Sequence, residues 1–182
     1  MFAPRTEGGT AALWVSLFIA SSTATTIALA CATPFSSLAA LAAVHMRPRE
    51  GFALMGLSWA FSQLVGFALH DYPRGPETIG WAACLATAAI ASLWGAQAAL
   101  RRMGPASTGW RLGVGYAAAF VAFKLVVVGW ALFLGSLDSV IDPAILARQF
   151  ARNGAILIGL YLLYRLLVAA GVPALRRPLA TA

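Results

Sequence analysis

Apolar residues run along this chain in long blocks, separated by short polar clusters rich in Arg, Pro and Gly. Crossing about 30 Å of hydrocarbon takes about 20 residues of α-helix. Five blocks reach that length, at about 11–32, 51–70, 77–100, 110–134 and 143–171. A sixth, 34–46, is apolar but short, reaching only about 20 Å at a rise of about 1.5 Å per residue. The punctuation agrees with these boundaries. Thr33-Pro34 and Asp142-Pro143 each read as an N-cap followed by proline at the first helical position. Arg47-Pro48 ends the short block, and Gly171 followed by Pro173 stops the last one. Gly75-Pro76-Glu77 opens the fourth block with an acid in its first turn, where the helix dipole favours negative charge. The last helix, begun at Pro143, is longer than a bilayer needs, so its first two turns are expected to stand outside it.

Composition narrows the class. Of 182 residues, 60% are hydrophobic and 10% charged, and the mean hydropathy is +0.80. Soluble domains carry about 25% charged residues. A soluble fold of this size leaves too much surface wet to hide so much apolar side chain. A soluble enzyme, a disordered tail and a nucleic-acid-binding domain are excluded. The formal charge of +7 does not bring nucleic acid back, because the basic residues are scattered in ones, twos and threes between apolar blocks. The expected fold is all-α, one polytopic transmembrane domain over residues 1–182, with six helices of which the second is short.

Charge sets the expected orientation. If 34–46 crosses, Arg5, Arg47, Arg49, Arg101, Arg102, Arg111, Arg176 and Arg177 share one side with both termini. The other side receives Arg74, Arg148 and Arg152 with the acids Asp71, Glu77, Asp138 and Asp142. Eight arginines against three give a positive-inside pattern, with N and C termini cytoplasmic. If the block does not cross, Arg101, Arg102 and Arg111 fall outside. Ala28-Leu29-Ala30 resembles a signal-peptide cleavage site, but about 20 apolar residues exceed the usual signal core of about 7–15, so a retained helix is expected.

Candidate chemistry concentrates between Trp59 and Cys84. Trp59, Gln63, Gly66 and His70 fall at i, i+4, i+7 and i+11, one helix face. A polar, aromatic and small-residue stripe in lipid is expected to face protein or a cavity. His70-Asp71-Tyr72-Pro73 then makes an external turn, and Trp81 and Cys84 follow within two turns of the next helix start. Residue by residue, His70 and Asp71 also suit a water interface, and Trp59 and Trp81 an aromatic belt. Cys84 suits simple packing as a small hydrophobe, or soft-metal binding as a thiolate near a helix N-terminus. Cys31 is a core residue, a second ligand or a disulfide partner. Arg148 and Arg152, one turn apart, form either a rim for anionic groups or a solvated helix start. Arg165 can snorkel outward, and His45 is expected at the cytoplasmic interface. Lys124, in mid-helix, costs at least about 2.5 kcal/mol in lipid and should face the bundle or a watery cavity. Backbone carbonyls, an anionic ligand or a partner subunit are its candidate compensation. No GxxxxGK[ST], HExxH or GxSxG motif occurs, so ATP hydrolysis and the commonest membrane-protease and esterase routes are not expected. Finally, Ser16, Ala20, Ala24, Ala28 and Ala32 stand at four-residue spacing, a ladder that lets another helix approach closely.

The whole-chain layout, the Ala20/Ala24/Ala28/Ala32 ladder, and the stretch from Gln63-Leu64-Val65-Gly66-Phe67 through Asp71-Tyr72-Pro73 to Cys84 resemble one known group. They are similar to the substrate-binding membrane subunits (S-components) of energy-coupling-factor vitamin transporters, most of all the BtuM-type vitamin B12 transporters of Gram-negative bacteria. The resemblance implies uptake of cobalamin, or a related corrinoid, across the bacterial inner membrane. It implies an outward pocket between the third, fourth and last helices, with Trp59, Trp81 and Tyr72 on apolar corrin surface. Cys84 would coordinate cobalt, while Asp71 and Arg152 hydrogen-bond amide or phosphate groups, with Gln63 and His70 beside them. Such proteins also use a histidine of the first helix towards cobalt. This first helix has none, and Cys31 or His70 would have to substitute. The protein would be no enzyme, though a thiolate can displace an upper cobalt ligand such as cyanide. The ladder would contact a transmembrane coupling subunit that works with ATPases. Alternatives from the residues alone are transport of a metal ion or other small solute, or a non-transport membrane subunit docked through the ladder.

Overall fold

The computed structural model describes residues 7–29, 34–135 and 137–175. They form α1 (Glu7–Leu29), α2 (Phe35–His45), α3 (Pro48–Leu69), α4 (Pro76–Arg101), α5 (Thr108–Leu134), α6 (Leu137–Ile141) and α7 (Pro143–Ala169). There is no strand among the described residues. Four helices, α3, α4, α5 and α7, are long and apolar enough to cross a membrane. Only 17–33% of positions in their most apolar stretches are buried inside the protein. The remainder turn side chains such as Leu64, Leu125, Phe133 and Leu166 outward. A water-soluble monomer does not expose apolar surface on this scale. Lipid is the solvent these faces match, and each helix satisfies its own backbone as a bilayer requires.

Local chemistry sets the ends. Pro48 opens α3 rather than merely closing α2, because the Glu50 carboxylate accepts the Arg47 N–H at 3.0 Å and caps the new helix. α3 therefore begins three residues ahead of the expected 51. α2 starts at Phe35, with the Pro34 carbonyl accepting from Leu38 N–H at 3.0 Å; Thr33 lies outside the described residues. Asp142 caps α7 as expected, its Oδ1 accepting from the N–H groups of Ala144 (2.7 Å) and Ile145 (3.0 Å). At the far end Gly171 takes φ +97°, and Val172 N–H donates back to Leu167 O at 2.9 Å, a Schellman ending two residues before Pro173. The short α6 was not foreseen. It fits between Gly135, whose φ of +69° ends α5, and the Asp142-Pro143 start of α7.

The core is organised round α2. Every residue from Phe35 to Val44 is buried, and the helix packs against α3, α4, α5 and α7. Small residues allow this: a Cβ placed on Gly51 of α3 would lie 3.4 Å from Ala42 Cβ and 3.2 Å from Leu93 Cδ2. Ser37 Oγ donates to Asn153 O of α7 at 2.7 Å. At one end Phe35 stacks near Phe123 (centroids 6.2 Å), and at the other His45 lies against Tyr164 (4.8 Å) and Tyr161 (6.1 Å). Trp14 of α1 joins that group through Tyr164 (4.7 Å) and donates to Pro173 O at 2.8 Å, closing the end where Arg47 lies. Eleven residues give α2 a length of about 16 Å, against about 40 Å for the 27 residues of α5. α2 thus fills the Arg47 end of the bundle and stops near the level of Phe123.

α4 and α5 make the closest helix pair. A Cβ on Gly95 would meet Ala122 Cβ at 2.7 Å and the Ala118 carbonyl oxygen at 3.0 Å. Gly113, by contrast, has open space around it. Gly95→Ala is therefore expected to destabilise the protein by about 1–3 kcal/mol through overpacking. Gly113→Ala should raise stability by about 0.5–1 kcal/mol through helix propensity alone. Thermal unfolding of both variants in detergent reads the two signs side by side.

Candidate functional site

Beyond the end of α2, towards Asp71, the bundle is framed by α3, α4, α5 and the α6–α7 corner. The turn after α3 is built by wide hydrogen bonds: His70 N–H reaches Val65 O (3.3 Å) and Tyr72 N–H reaches Gly66 O (3.2 Å). Each spans one residue more than the usual α-helical or Schellman bond, the geometry of a π-type last turn. Asp71 reverses the chain at φ +49°, a conformation that short polar side chains tolerate. The Tyr72 ring is thereby laid on Gly66, where a Cβ would stand 2.6 Å from Tyr72 Cε2. Tyr72 also meets Phe67 edge-on (6.2 Å, 74°) and stacks by His70 (6.2 Å, 27°). His70 Nε2 is buried without a hydrogen-bond partner among the described residues.

The predicted stripe is thus split in use. Gly66 and His70 lie under the Tyr72 turn. Gln63 is half-buried, with Nε2 donating to Ser62 Oγ at 3.2 Å. Trp59 is engaged elsewhere: its indole N–H donates to Ala82 O at 2.9 Å and ties α3 to α4. Asp71 and Arg152 are exposed and stand on separate elements, with no ion pair between them. α7 meets the bundle from the end of its second turn. Phe150 already lies against Tyr116 (4.9 Å) and Phe120 (5.1 Å) of α5, and Asn153 meets Ser37.

Cys84 carries a free thiol with 0% exposure. Ala88 and Val127 pack with it, and Trp81, Phe123, Val126, Trp130 and Val140 of α6 surround the cluster. Trp130 Nε1 donates to Thr87 Oγ1 at 3.1 Å, and that hydroxyl donates to Cys84 O at 2.9 Å. Two indole ties therefore hold α4 on either side of the cysteine, one to α3 and one to α5. Neither Trp130 nor Val140 was picked out from the sequence. They lie 46 and 56 positions beyond Cys84, and no local spacing links them. With no exposed surface, the thiol reaches a ligand only after part of this surrounding group shifts.

Cys31, Ala32 and the side chain of Ala28 lie outside the described residues. Of the ladder, Ser16, Ala20 and Ala24 face outward and, with Leu57 and Phe61 of α3, line an open groove of about 600 Å³. No group of three or more His, Cys, Asp or Glu side chains able to hold a metal ion occurs among the described residues. No protein-family model, curated protein or solved structure matches the chain.

Burial of Cys84 makes its reactivity a measure of opening. In a Cys31→Ser background, a hydrophilic maleimide is expected to label the folded protein at least about 100-fold more slowly than the denatured chain, corresponding to an opening cost of about 3 kcal/mol. Trp130→Phe, which removes one tie, should speed that labelling. Mass spectrometry of timed samples reads both rates.

Proposed function

We propose that the protein takes up cobalamin or a related corrinoid across a bacterial inner membrane, binding it at the Asp71 end of the bundle. The reading counts six crossings, with α1 and the short α2 added to the four long helices, and puts both chain ends in the cytoplasm. What carries it is the half-height central helix. α2 packs the Arg47 end solid and leaves the Asp71 end to be closed by aromatic side chains, a turn pinned by Tyr72, and one free thiol. The charge distribution supports the orientation: Arg47, Arg49, Arg101, Arg102 and Arg111 gather at the end α2 fills, while Asp71, Glu77 and Asp142 lie at the other.

In this reading Tyr72, Trp81 and the edge of Trp59 cover apolar macrocycle surface, and Asp71, Gln63, His70 and Arg152 hydrogen-bond its polar substituents. Cys84 coordinates cobalt once Trp81 and the α6 corner move aside. Cys84 would give up its thiol proton and donate a sulfur lone pair to cobalt, while an upper ligand such as cyanide leaves with the electron pair of its own bond and takes up that proton as HCN. The open groove at Ala20 and Ala24 is lined by small residues that let a neighbouring helix approach, which favours a transmembrane coupling subunit, served by ATPases, as the partner.

Corrinoid absorbance tests the site. Purified protein should bind cobalamin with a shifted cobalt spectrum, and Cys84→Ala should abolish the shift; an unchanged spectrum in the variant removes Cys84 from the mechanism. Orientation is read separately. Asp71→Cys in a cysteine-free background should react with an impermeant maleimide from the periplasmic side, and labelling only after lysis overturns the six-crossing reading.

A further inference from the structure

Lys124 is the one charge inside the apolar stretch Leu112–Leu134 of α5. It cannot escape to water along the helix. Leu134 is ten residues away, about 15 Å of rise, and a lysine side chain extends only about 6 Å. Nor is it simply turned to lipid. Tyr116 and Phe120, at i−8 and i−4, share its side of the helix, and both rings lie against Phe150 of α7. Tyr116 also donates its hydroxyl proton to Phe150 O. Lys124 is half-buried one turn beyond this aromatic bridge, on the Asp71 side. An open groove lined by Val114, Ala117, Ala118, Val121, Ala122 and Leu125 runs along α5 beside it, so Lys124 stands at the border between that groove and the seam with α7.

Among the described side chains no counter-charge is shown opposite it; the side chain of Asp138 on α6, which packs on α5, lies outside them. α5 and α7 contain no acid, and α7 adds the cations Arg148 and Arg152. Asp142 is committed to the N–H groups of Ala144 and Ile145. The carbonyls of α5 beside Lys124 are taken by the helix itself. An ammonium half-buried at this depth, one turn from the Phe120–Phe150 contact, calls for an anionic partner. Its compact charge and three rotatable donors suit tetrahedral phosphate oxygens.

We propose that Lys124 binds a phosphate ester of the ligand. The inference rests on the corrinoid reading for its ligand: cobalamin carries a phosphodiester in its nucleotide loop, whereas cobinamide keeps the macrocycle and lacks that group. Binding of both by wild type, Lys124→Met and Lys124→Arg tests it, with Lys124→Gln as a second neutral variant should the methionine form fail to fold. The neutral variant should bind cobalamin about tenfold or more weakly, the loss expected for one charge-assisted hydrogen bond, with cobinamide unchanged and the arginine variant close to wild type. Equal weakening of both ligands, or none, overturns the assignment. If wild type binds neither corrinoid, the vitamin reading falls, and inorganic phosphate decides Lys124 by itself. Against chloride at matched ionic strength, phosphate should raise the melting temperature of wild type and Lys124→Arg but not of the neutral variant. The same rise in all three, or in none, overturns the site.

Discussion

Burial of every residue from Phe35 to Val44 in the eleven-residue α2 is the constraint on which this protein is built. α2 has no face to give to lipid or water, so each of its neighbours must approach it closely, and its alanines and the glycines opposite them make that approach possible. Lipid tails are as apolar as leucine, so the hydrophobic effect does not itself drive one apolar helix onto another in a membrane. Close van der Waals contact and a few hydrogen bonds hold the bundle instead. α7 shows this dependence most plainly. Its close backbone packing is on α2 and the adjoining α6, with the Ser37–Asn153 bond as a fixed point, and side chains bridge its seam with α5.

The two ends of the bundle therefore differ in character. At the Arg47 end α2, Trp14, His45, Tyr161 and Tyr164 make a packed aromatic and aliphatic mass that the returning chain at Pro173 closes. At the Asp71 end the helices are joined by discrete contacts: Trp59 to Ala82, Trp130 to Thr87, and Tyr72 on Gly66. Discrete contacts exchange one at a time. A packed core does not deform gradually. Of these contacts, the Trp130 tie to Thr87 belongs to the same group of side chains that surrounds Cys84.

Much of this was legible from the residues. Long apolar blocks required helices in lipid, because no other structure satisfies a lone backbone segment there. Asp142-Pro143, Gly75-Pro76 and Gly171 marked helix ends through local sterics and side-chain hydrogen bonds, which depend on neighbours in the chain. That Ser16, Ala20 and Ala24 share one helix face follows from their four-residue spacing, while its exposure is known only from the fold. Arg47-Pro48 does end α2 as its sequence indicates, but the same proline also opens α3, three residues ahead of the expected start, since a proline that ends one helix suits the first turn of the next.

Tertiary structure decided what those helices do to one another. The i, i+4, i+7, i+11 spacing put Trp59, Gln63, Gly66 and His70 on one face, but only the fold gave Trp59 to α4 and laid Tyr72 over Gly66. Likewise Cys84 stood near a helix start in the sequence, while its burial depends on Val127, Trp130 and Val140 from later elements. The sequence alone determined which segments are helical, where most of them end, and that most of their surface suits lipid, because those properties come from side-chain chemistry at fixed local spacing. Which side chains meet, and whether a thiol is covered or open, depends on contacts between segments far apart in the chain, and those exist only once the helices have packed.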